Sequence, residues 1–125
     1  MSIANQLESK LMKLVFANTT FPAITTIYGS LHTADPGETG TGSPLASTPR
    51  ISIEMANTPT STVANSTTSD FLTSASGVIS HIGLWDGSST TTGNALWTGA
   101  LATTKAVNVG DTIRISSGQL TITLS

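Results

Sequence analysis

At 125 residues the chain is long enough to bury a core without disulfides or a metal, and too short to call for two domains. Its formal net charge of −2, from five Lys plus Arg against seven Asp plus Glu, offers no attraction for nucleic acid or an anionic membrane. With no Cys, a disulfide framework and a thiolate metal site are both excluded.

Charged residues are 10% of the chain, against ~25% in typical soluble domains, and Ser plus Thr make up about a third. That balance favours β structure, because Thr is β-branched and suits a half-exposed pleated surface. No run approaches the ~18 apolar residues of a membrane span, and the N-terminus lacks an apolar signal core. The chain is therefore expected to be made in the cytoplasm without a signal peptide.

The first element is a helix. In "ANQLESKLMKLVFAN", Leu7, Leu11, Leu14 and Val15 form one apolar stripe opposite Glu8, Lys10 and Lys13. Asn5 followed by Glu8 resembles a capping box, and Asn18 is a natural stop, so the spacing predicts a helix over 3–17 with its stripe buried. β signals follow. "TTIYGSLHT" sets Ile27, Gly29 and Leu31 on one face and Tyr28, Ser30 and His32 on the other. Residues 34–47 then read as a long surface loop of Gly, Thr and Pro.

"RISIEM" alternates as a single half-buried strand from Arg50 to Met55, with Ile51, Ile53 and Met55 inward. Residues 57–69 offer little to bury except Val63 and read as a second long surface loop, or at most a short edge strand with Pro59 against a central one. "GVISHIGLWDG" has apolar residues on both faces, Val78, Ile82 and Leu84 against Ile79, His81 and Trp85, and belongs mid-sheet. It forms a hairpin with "NALWTGAL" across a turn opened by Asp86 and Gly87. The C-terminal segment gives further short strands, broken at Asn108, Gly110-Asp111 and Ser117-Gly118. The pattern is mainly β: a single antiparallel β-sandwich or jelly-roll-like barrel with one N-terminal amphipathic helix, one domain over 1–125.

Reactive chemistry is sparse. His32 and His81 with Asp35, Asp70 or Asp86 have no metal-ligand spacing, and a strand histidine bonded to backbone is the simpler reading. Ser80 and His81 are strand neighbours, expected to point to opposite faces and so unable to pair as nucleophile and base. Asp35 and Glu38 lack the dense acidic ligands of a calcium loop, and "GETGTGSP" lacks the Lys-Ser/Thr of a phosphate loop. Trp85 and Trp97 could form a sugar platform across the hairpin, but a chain with so few aromatics needs both in its core. No catalytic residue, metal or cofactor is expected.

In order, the helix, "LHTADPGETGTG", "ISHIGLWDG", "ALWTGAL" and "KAVNVGDTIRISSGQLTITLS" span nearly the whole chain. Together they resemble a family of small tailed-bacteriophage proteins labelled tail fibre or minor structural proteins. The resemblance implies a virion structural protein made in the host cytoplasm. Within that class the expected role is a non-enzymatic capsid cement or decoration protein, because no shaft repeat or coiled-coil heptad is visible. The alternatives are a tail fibre or minor tail protein in host attachment and, from another class, a carbohydrate-binding module. Partners would be the major capsid protein or tail proteins and further copies in a homo-oligomer. Loops of little charge and many hydroxyls suit such contacts. The candidate interface residues are Asp35, Pro36, Glu38, Thr39, Thr41 and Pro44, with Thr58, Thr60, Asn65 and Thr67 in a second segment.

Overall fold

The computed structural model describes residues 2–20, 24–57, 62–89 and 93–123. In chain order these form β1 (Ser2–Ile3), α1 (Asn5–Phe16), β2 (Ile27–His32), β3 (Ile51–Ile53), β4 (Met55–Asn57), β5 (Thr62–Asn65), β6 (Ser69–Leu72), β7 (Gly77–Trp85), β8 (Ala95–Val107), β9 (Thr112–Ile115) and β10 (Thr121–Thr123). The largest sheet has the order β1-β8-β7-β2-β3, and smaller sheets pair β10-β5-β4 and β6-β9. All the pairings are antiparallel. The fold is thus mainly β, as expected, but the sheets stay separate and close no barrel.

The core joins these sheets. Leu31, Ile53, Ile82, Leu84 and Trp97 of the main sheet cluster with Phe71 of β6, Leu120 and the partly buried Ile113, Ile115 and Ile122. Gly29 makes the fit possible, since a Cβ there would collide with Ile53 Cδ1 and lie 3.0 Å from Phe71 Cζ. On the rim, Asp70 and Arg114 are directly opposed in the β6–β9 ladder and joined by a two-pronged ion pair at 2.8 and 2.9 Å.

Several local expectations change. "RISIEM" is two strands, because the chain leaves the main sheet after Ile53 and joins the three-stranded sheet at Met55. Its inward alternation survives, with Ile53 buried and Ser52 and Glu54 exposed. The 57–69 segment is not one loop, since it contains β5, the middle strand of its sheet, and the start of β6. Pro59 lies outside the described residues.

Strand β7 is central, as its two-sided apolar pattern predicts, yet strict alternation fails there. Val78 is exposed and Ile79 wholly buried. The ladder is the reason: Ile79 pairs with Lys105 but His81 with Ala100, so residues 101–104 of β8 form a wide bulge.

The helix is shorter than 3–17, and Asn5 does not cap it. Ser2 and Ile3 instead pair with Thr98 and Trp97, and the buried Ala4 stands at the N-cap without a side-chain bond. Asn18 does end it, with φ 52°. The expected burial of the apolar stripe is also overturned: no α1 residue is fully buried, Leu7 and Leu11 are half-buried, and Leu14 and Val15 are exposed.

Candidate functional site

On the face of β2 away from the core, alternation brings Ser30 and His32 opposite Gly83 and His81 of β7, with Trp85 beside them. Glycine at 83 leaves room for polar groups, because a Cβ there would lie 2.8 Å from Ser30 Oγ and 3.1 Å from His32 Nε2. Trp85 Nε1–H donates to Ser30 Oγ at 2.8 Å, the Ser30 hydroxyl donates to His32 Nε2 at 2.7 Å, and His32 Nδ1–H donates to the Gly42 carbonyl at 2.7 Å. Direction is forced at both ends, since an indole N–H only donates and a carbonyl only accepts. The Gly42 carbonyl thus places a proton on Nδ1, and burial of the ring favours the neutral form in which Nε2 accepts from Ser30. Burial of the ring pushes its pKa below 6.5, opposed by the Gly42 bond and assisted by His81 and Arg50.

Gly42 belongs to the loop, which is no loose excursion. Asp35 Oδ1 accepts from Gly37 N at 2.9 Å, Gly42 N donates to the Pro36 carbonyl at 2.9 Å, and Leu45 N donates to the Leu31 carbonyl at 2.9 Å. Gly40 adopts φ +73° and presses on the β7–β8 hairpin, where a Cβ would meet Ala95 Cβ at 2.5 Å. Glu38 contributes its carbonyl to Asn5 N at 3.2 Å, tying the loop to the helix start. The expected surface loop is thus ordered by its own chain: Leu45 and Pro36 are buried and the segment forms a layer over the sheet.

The layer exposes Asp35, Glu38, Thr39, Thr41 and Pro44, five of the six loop residues singled out from sequence, while Pro36 turns inward. Asn65 ends β5, and Thr67 follows in the bend before β6. Asn65 is buried and fully engaged, donating to the Thr67 and Ser116 carbonyls and accepting from Leu120 N, so only Thr67 is presented outward. Thr58 and Thr60 fall outside the described residues.

Between the layer and the sheet lies a half-open cleft of about 480 Å³, lined in part by Ser30, His32, Thr41, Pro44, Arg50 and Trp85. The Arg50 guanidinium stacks 3.7 Å above the Trp85 ring and donates to the Gly87 carbonyl at 3.0 Å. Trp85 is buried beneath it and Trp97 lies in the core, so both indoles pack as expected and neither ring is left bare for a sugar.

The Ser80–His81 expectation fails. Ser80 Oγ lies 2.8 Å from His81 Nδ1, because the ladder breaks between Ile79 and His81 and adjacent side chains no longer diverge. The serine sits on Nδ1, the nitrogen that bonds the carboxylate in a Ser-His-Asp triad, so the contact is not the nucleophile–base bond of that arrangement. Among the described residues no group of three or more His, Asp or Glu could hold a metal.

Sequence reasoning missed one surface. Met12, Val15 and Phe16 are 59, 68 and 78% exposed on α1. The signal was present in the sequence, where apolar residues encircle the second half of the helix instead of keeping to one stripe.

The chain thus presents an antiparallel β scaffold with a bonded loop layer and an exposed apolar helix face. Over residues 2–123 the chain matches the family described as podophage GP4 fiber I protein gp80, and it belongs to that family of phage fibre proteins. No curated protein matches the chain.

Proposed function

We propose that this protein is a non-enzymatic structural subunit of a podophage tail fibre, held in the virion by contacts with other virion proteins and with further copies of itself. The family match over nearly the whole chain carries this reading, because its description names a fibre protein. A capsid cement role, expected from small size and the lack of a shaft, is the less favoured assignment. A subunit of this size serves a fibre as an adaptor or tip, with the shaft supplied by other chains.

The loop layer supports the same role. Asp35, Glu38, Thr39, Thr41 and Pro44 are displayed on a surface whose shape is set before any partner arrives, so little ordering entropy opposes contact. Absolute quantification of the protein in purified virions, with gold-labelled antibody, tests the assignment. A few copies to a few dozen, with label on the tail, is the expected result. Hundreds of copies with label on the head would return the protein to the capsid lattice.

A further inference from the structure

Helix α1 carries two apolar faces. Leu7 and Leu11 lie half-buried on the side that meets β8, whereas Met12, Val15 and Phe16 face away from the domain. On that outer side Ser9, Met12 and Phe16 follow the alternating four- and three-residue spacing of a coiled-coil seam. Glu8 flanks the seam on one edge and Lys13 on the other, at the separation where such flanks pair between parallel helices. Neither side chain has an ion-pair partner within the described chain.

We propose that this face docks on the same face of a second copy of the chain, with the two helices parallel. Met12 and Phe16 then meet their counterparts, and Glu8 of each copy lies beside the partner's Lys13. The antiparallel alternative sets like flanks together and is disfavoured by charge. Because β8 already holds the helix in shape, pairing does not have to nucleate it. The inference concerns the chain in solution and does not rest on its place in the virion.

Sedimentation velocity over a concentration series of the purified chain is the test. The unaltered protein should self-associate, and Met12→Ser with Phe16→Ser should leave it monomeric with an unchanged thermal melt. Glu8→Lys or Lys13→Glu alone should weaken association about tenfold, and the two together should restore it. Ser9→Cys, in a chain without other cysteines, should give a disulfide-linked dimer on mild oxidation. A chain monomeric at every concentration would overturn the proposal. So would association indifferent to the charge changes, or association that persists while Ser9→Cys fails to cross-link.

Discussion

His32 is buried within its relay, and because burial disfavours the charged ring the molecule has a pH dependence of definite sign. Its folded pKa lies below 6.5, so as pH falls through that value the unfolded chain takes up a proton that the folded ring refuses. This contribution to stability is complete above about pH 6.5 and declines as pH drops from there towards the folded pKa. Thermal melts should show a falling midpoint between about pH 7 and pH 5, and His32→Asn should flatten the slope. At neutral pH, His32→Ala leaves the Ser30 hydroxyl proton without its acceptor and the Gly42 carbonyl without its side-chain donor, and should destabilise by about 1–3 kcal/mol in chemical denaturation. Arg50→Ala should uncover the Trp85 ring and shift tryptophan emission to the red; an unmoved spectrum would mean that the indole is shielded by other groups. The placement of Ser30 and His32 on the face of β2 away from the core was legible in the sequence, since period-two alternation alone supplies it. The Ser80–His81 contact was not, because it follows from a slip of the ladder that only pairing with β8 creates.

At the scale of elements, the 34–47 loop should behave as part of the fold. Leu45 is 4% exposed and Leu45→Ala should cost about 2–5 kcal/mol. Replacing residues 36–44 by a Gly-Ser linker should lower the melting temperature by about 5 °C or more, through loss of the bonds at Gly42 and the packing at Gly40. An unchanged melt would show instead that the loop contributes nothing to the fold. For α1, Leu11→Ala should cost about 1 kcal/mol, less than a core leucine, because the side chain is only half-buried. The loop misled because Gly, Thr and Pro are read locally as solvent-facing, whereas here Gly40 is the residue that permits close approach. The helix misled because a stripe of leucines says which face prefers burial but not how much of the molecule is there to cover it.

For the whole molecule, the shared core makes the sheets interdependent. Phe71, Leu120 and Ile53 come from three different parts of the architecture yet lie in one cluster. Unfolding should therefore be a single cooperative transition, with calorimetric and van't Hoff enthalpies equal. Removing everything after Gly118 takes Leu120 from the core, strips β5 of its pairing with β10 and leaves the buried Asn65 Oδ1 without its donor. The truncated chain should be insoluble, and a folded soluble product would show that the smaller sheet stands alone. The short C-terminal strands and their breaks were legible from turn residues at Asn108, Gly110 and Gly118. Their allotment to two different sheets was not, since partner choice depends on contacts far apart in the chain.

The wide bulge of β8 has a practical side. Residues 102–104 are exposed and already outside the regular ladder, which resumes at Lys105 opposite Ile79. A short peptide tag inserted between Thr103 and Thr104 should lengthen the bulge without shifting register on either side, leaving the melt near that of the untagged chain. The protein would then carry an epitope at a known point, one that serves to find its position on an intact phage by electron microscopy.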